Sequence, residues 1–169
     1  MNLTIEFDTS IKSWRSGEEQ LLQQLIRRLC KAVLQEKWFL QQKLGTVMCH
    51  VWVVGAKRIQ GMNKVYRRKD KVTDVLSFPQ YDQQWWNSSL KKRKAHPCMH
   101  LGDVVVCYQK ALQDAKCFGI SFEEEIATLL VHGVLHLVGF DHERSKLEEK
   151  RMFSLQEKLV NTILKKAKV

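Results

Sequence analysis

Proline is nearly absent from this chain, with only Pro79 and Pro97 among 169 residues. That excludes proline-rich linkers and leaves long stretches open to helices. Long apolar runs are missing too: none approaches the ~20 residues that a membrane span requires, so no membrane partner is predicted. The first residues, Met1 to Glu6, show neither the basic leader nor the apolar run of a secretory signal. Five cysteines, Cys30, Cys49, Cys98, Cys107 and Cys117, form no Cys-x-x-Cys pair and make an odd count. A disulfide framework is therefore excluded, and reduced thiols in a cytoplasmic protein are predicted. Acidic residues are in deficit, with 18 Asp and Glu against 28 Lys and Arg and a net charge of +10. The excess is spread over Arg27-Arg28, Arg67 to Lys71, Lys91 to Lys94 and Lys165 to Lys168. Such a field attracts polyanions, nucleic acids and anionic membrane surfaces foremost, although the same side chains could simply solvate helix faces.

At this length and 44% hydrophobic content the chain can bury one sizeable core, so a single domain over residues 1–169 is expected. Alternation from Leu3 to Phe7 predicts a short strand. Ser16 with Glu19 opens a run of apolar residues at helical spacing, Leu21 to Val33. Val47 to Val54 is Val-rich and almost wholly apolar, as in a strand covered on both faces, and Gly55 closes it. A short helix through Asn63 and a strand from Val75 to Phe78, stopped by Pro79, follow. Gln80 to His100 has no usable periodicity and reads as a long exposed loop. Asp103 to Cys107 then predicts a strand and Tyr108 to Lys116 a helix. Ser121 with Glu124 starts a helix that Gly139 can terminate, and Ser145 with Glu148 opens the last one.

Three of the six histidines, His132, His136 and His142, fall within eleven residues. The first two, four apart on one helix face, project their imidazoles to a separation that a single metal can bridge. The break at Gly139 lets His142 fold back. Three neutral nitrogens suit one zinc per chain with an open fourth position, the arrangement of a catalytic site rather than a structural one. A lone histidine would more readily be read as a satisfied core residue; the clustering argues for a metal. The same spacing occurs in metzincin proteases, but there a general-base Glu follows the first histidine. Here that place holds Gly133, which disfavours peptide hydrolysis.

The segment His132-Gly133-Val134-Leu135-His136-Leu137-Val138-Gly139-Phe140-Asp141-His142 resembles the signature of the YbeY family, rRNA-maturation factors with endoribonuclease activity. Two further blocks are similar: Asn63, Tyr66-Arg67, Lys69-Asp70 and Thr73 to Pro79, then Leu101-Gly102-Asp103-Val104. Val72 departs from the family's usual proline, and the loop from Gln80 to His100 is unusually basic and bears tryptophan. The resemblance implies an α+β fold in which a mixed, mostly four-stranded sheet packs with helices around a central metal-site helix. It implies cleavage of single-stranded RNA in rRNA processing, with RNA and ribosomal particles as partners and no DNA. It places metal ligands on His132, His136 and His142, and residues needed for activity on Arg67 and His132. A non-catalytic zinc-bound RNA or ribosome assembly factor is the alternative it leaves open.

Arg67 carries the planar fork of donors that suits a phosphodiester oxygen. Asp141 could orient an imidazole or cap the chain beyond Gly139, and Asp74 and Ser77 could face a cleft or cap a turn. Spacing does not choose between these. His96, Cys98 and His100 alternate and could in principle bind a metal, but Pro97 and the lack of a fourth ligand weigh against it. Trp85-Trp86 beside Lys91 to Lys94 could stack on RNA bases, or form a packed loop.

Overall fold

Burial alternates along Asn2–Thr9 (β1) and along Thr46–Val54 (β2) as far as Val53, and this period of two makes them strands. In the computed structural model residues 2–12, 14–88 and 98–165 are described. Between β1 and β2 lie the helices Glu18–Gln35 (α1) and Lys37–Leu40 (α2). After β2 come Ala56–Arg67 (α3), Val75–Pro79 (β3), Gln83–Asn87 (α4), Cys98–Cys107 (β4), Tyr108–Phe118 (α5), Phe122–Leu137 (α6) and Lys146–Leu164 (α7). The strands form one mixed sheet in the order β1-β2-β4-β3, with β1, β2 and β4 parallel and β3 antiparallel to β4.

The main core fills the space between one sheet face and α1, α6 and α7, and includes Val47, Val51, Val104, Leu130, Val134 and Met152. A smaller cluster of Val54, Ile59, Leu76, Val105 and Cys107 lies between α3 and the other face. Helix α6 is apolar nearly all round, because it packs on β3 and β4 and also touches α1, α5 and α7. It is the central element that the sequence predicts.

Several expectations need correction. Helix α1 is not capped by Ser16: Gly17 at φ 84° is its N-cap, and Glu18 Oε2 instead accepts from the Arg15 N–H at 2.9 Å. Strand β2 is covered fully on one face only, with Met48, His50 and Trp52 half-buried on the other. Strand β4 begins at Cys98, not at Asp103, because a bulge hides its alternation. Met48 pairs with His100 and His50 with Asp103, so β4 takes three steps where β2 takes two. Gly102 sits in that irregularity at φ 124°, where a Cβ would lie 2.0 Å from the Phe78 carbonyl oxygen, so only glycine fits. The expected exposed loop also contains α4, whose Trp86 is buried. The Lys91 to Lys94 run, His96 and the basic tail beyond Lys165 lie outside the described residues.

Candidate metal centre and cleft

Ser121 starts α6 as predicted, its Oγ accepting from the Glu124 N–H at 3.1 Å. The helix ends in a Schellman turn: Gly139 N–H bonds His136 O at 3.1 Å and Phe140 N–H bonds Leu135 O at 3.0 Å. Gly139 takes the left-handed conformation, φ 91°, that this turn requires. The chain therefore doubles back, and His142 returns to within 5.2 Å, between ring centroids, of both His132 and His136. One ligand atom from each of the three lies within 4.8 Å of the others.

The turn also fixes the tautomer of His136. Its Nδ1 lies 3.0 Å from the Phe140 carbonyl oxygen, which can only accept, so Nδ1 carries the proton and Nε2 is bare. His132 Nδ1 lies 2.9 Å from Gln156 Oε1, with the same consequence. The two Nε2 atoms then face each other at 3.0 Å with their lone pairs opposed. A proton is a poor resident between them: burial, helped by the neighbouring imidazoles, lowers His136 to about 4 and burial also lowers His132. A cation coordinated by both lone pairs removes the repulsion, so this donor set fits a metal ion. His142 is steadied from the other side by Phe153 of α7, stacked at 5.4 Å and 25°.

The three imidazoles line a cleft of about 670 Å³. Arg67, the last residue of α3, is exposed and also lines it. Its position is set by buried Asn63, whose Nδ2 donates to Lys71 O at 2.7 Å and whose carbonyl receives the Lys69 N–H at 3.3 Å. Asp74 and Ser77 line the cleft too. Asp74 Oδ1 accepts from Val75 N–H at 2.8 Å and Thr73 Oγ at 3.0 Å, so it caps β3 as well as facing the cavity. Ser77 caps no turn; its Oγ donates to Gly133 O at 3.4 Å and ties β3 to α6. Asp141 Oδ1 accepts from the Glu143 N–H at 3.0 Å, which selects the capping role of the two read from sequence.

Of the two minor readings, the metal group of His96, Cys98 and His100 falls partly outside the described residues, since His96 does, and the tryptophan reading fails at Trp86. Cys98 and His100 lie on β4, with Cys98 Sγ 3.4 Å from Met48 Sδ and His100 Nε2 3.9 Å from Asp103 Oδ1. Among the described residues the only group close enough to hold an ion is the histidine trio. Trp86 cannot stack on RNA, because it lies beneath the Schellman turn: a Cβ on Gly139 would be 2.5 Å from its Cδ1. Trp85 is half-buried and packs against Tyr81 at 4.4 Å.

Sequence reasoning missed Gln156, Phe153 and Glu125. Gln156 is an uncharged amide between Met152 and Leu159, on the side of α7 that turns to the core. Glu125 is buried in the cleft wall. It reads in sequence as one of three acids in a first turn, but it stands four residues before Leu129 and seven before His132, on the face that carries the histidines.

The family model for endoribonuclease YbeY matches residues 8–164. The chain belongs to the YbeY family. Endoribonuclease YbeY of Aquifex aeolicus is 33% identical over 159 residues, 92% of this chain and 99% of the relative. That of Halalkalibacterium halodurans is 33% identical over 162 residues, 95% of each. That of Sulfurihydrogenibium sp. is 37% identical over 130 residues, 77% of this chain and 79% of the relative. Among solved structures, the solution structure of a Thermotoga maritima protein is similar at TM-score 0.60 and 28% identity, covering 95% of this chain and 89% of that one. In this chain the blocks quoted above have a structural meaning: the first builds the helix and turn of the trio, the second the Asn63-braced loop, and the third the bulge at Gly102.

Proposed function

We propose that this YbeY-family chain is a zinc-dependent, single-strand-specific endoribonuclease of the cytoplasm, acting on rRNA and ribosomal particles in ribosome maturation and quality control. The observation that carries the reading is the pair of opposed, bare imidazole nitrogens at 3.0 Å, in a cleft that Arg67 also lines. His132, His136 and His142 hold one zinc. Bound there, zinc supplies Lewis-acid stabilisation of charge on a phosphoryl oxygen. Gln156 and the Phe140 carbonyl keep both Nε2 atoms aimed at one point, so little reorganisation accompanies binding. Arg67 binds a non-bridging phosphate oxygen through its guanidinium and aligns the scissile bond with the histidines. The relatives' name, endoribonuclease, and the net charge of +10 support RNA as the substrate.

The test is elemental analysis of the protein prepared without chelators, joined to single-turnover cleavage of single-stranded RNA. Wild type should carry one zinc, and His136→Ala should lose both metal and cleavage. Arg67→Ala should keep metal and most RNA affinity but lose on the order of 10²-fold in rate, as expected for removal of one electrostatic donor. Arg67→Lys should recover only part of that rate. Cleavage by Arg67→Ala at the wild-type rate would remove Arg67 from the site. RNA binding by a wild type that cuts nothing would favour the non-catalytic assembly factor.

A further inference from the structure

The cleft is lined by groups of both charge signs, Arg67 among them. The histidines His132 and His136 stand on the C-terminal half of α6, and Glu125 in its first turn, where it faces the cavity wall with 6% of its surface exposed. Among the described residues no hydrogen bond or ion pair reaches its carboxyl. Desolvation raises its pKa to about 7, and Asp114 and Asp74 push in the same direction. Lys110, the nearby cation, is engaged by Asp114. Its carboxyl oxygens are not sealed off but open on to the cleft, where a ligand can complete their hydrogen bonding. These acids are not a second metal site, since among the described residues the histidines alone converge closely enough. Phosphate would be disfavoured there by the Asp74 carboxylate, which lines the same cleft, and by Glu125 itself wherever it is ionised. The ligand that fits is a neutral group rich in hydrogen-bond donors and acceptors.

Seven helical residues separate Glu125 from His132, about 10 Å along the axis of α6 and on the same face. That is comparable to the reach from a phosphate, across its ribose, to the edge of its base. Phe118, at the end of α5, lines the same cleft and is 67% exposed, an aromatic ring that no core contact explains. We infer that the part of the cleft around Glu125 is a nucleobase subsite, in which Glu125 hydrogen-bonds the Watson–Crick edge of a nucleotide flanking the cut phosphate and Phe118 stacks on its face. The inference rests on the endoribonuclease reading for its substrate, and its geometry orients RNA with phosphate at the histidines and base at the acid.

The subsite is tested by calorimetric titration of the intact chain with the four nucleoside 5′-monophosphates and with ribose 5-phosphate, alongside cleavage of four oligoribonucleotides differing in one flanking base. Wild type should discriminate among the bases by on the order of 10-fold. Glu125→Gln, which turns an acid into an amide of the same shape, should flatten or reorder that preference. Phe118→Ala, an exposed position, should weaken all four nucleotides by on the order of 10-fold. Ribose 5-phosphate, lacking a base, should bind all three proteins alike. Relative affinities that are equal in wild type, or unchanged in Glu125→Gln, would overturn the subsite. Base discrimination by a wild type that cleaves none of the oligomers would sink the endoribonuclease reading and support the subsite. Cleavage with an unaltered base preference in Glu125→Gln would sink the subsite alone.

Discussion

Glu125 is an acid held where its charge is unwelcome, and the consequence is a stability that depends on pH. Desolvation raises it from an ordinary value of 4.5 to about 7 in the folded chain; Asp114 of α5, Asp74 before β3 and Glu124 on its own helix add to the rise, and Lys110 opposes it. Between those two values the folded state holds a proton that the unfolded state has lost. Its contribution is therefore fully present below about pH 4.5 and is lost as pH rises through about 7. Glu125→Gln removes this titration. The variant should gain in melting temperature relative to wild type as pH rises across that window, with the curves parallel outside it. His132 and His136, shifted the opposite way, occur in both proteins and cancel in the difference. Parallel melting curves throughout would mean that the carboxyl finds solvent or a cation in solution.

The meeting of α6 with β4 shows how a helix can dictate residue type beside a reactive group. A Cβ on Gly133 would lie 2.4 Å from Val104 Cγ1, within the strand that forms the floor of the core. The glycine that replaces the protease's general base is thus also a packing requirement, and no glutamate could stand there in this fold. Gly133→Ala should cost about 1–3 kcal/mol, the range for overpacking a filled core. Denaturant melts of Gly133→Ala, with Val104→Ala as partner, check it: the double variant should be less destabilised than the two single losses summed. Strict additivity would show that the helix does not approach the strand so closely. Much of this region was legible in sequence, because the helix, its Ser121 cap, its Gly139 stop and the trio all follow from spacing within one segment. Gln156, Phe153 and Trp86 were not, since each reaches the site from another element and carries no local pattern. Strand β4 was read five residues short for a related reason: its bulge at Gly102 breaks the period of two that marks a strand. The resemblance, rather than periodicity, singled out Arg67, which lines the same cleft as the histidines at the end of α3, where Asn63 braces the loop that follows.

Charge over the whole molecule divides the labour between attraction and aim. A net charge of +10 draws RNA from a distance, while the acids inside the cleft restrict where its phosphates can settle. Lys69 and Lys71 are exposed on the Asn63-braced loop that follows Arg67, and the salt dependence of binding tests whether RNA phosphates contact them. Each phosphate contact releases counterions, so log affinity for single-stranded RNA should fall linearly with log salt at about −0.7 per contact, and four contacts would give a slope near −3. Replacing Lys69 and Lys71 together with Gln should reduce the slope by about 1.4 without altering metal content. The measurement is fluorescence anisotropy of a labelled non-cleavable strand across a salt series. A slope near zero in wild type would mean that the basic surface only solvates the fold. An unchanged slope in the double variant would move the RNA path off this loop and on to another basic face, of which the Arg27-Arg28 stretch of α1 is the next to test.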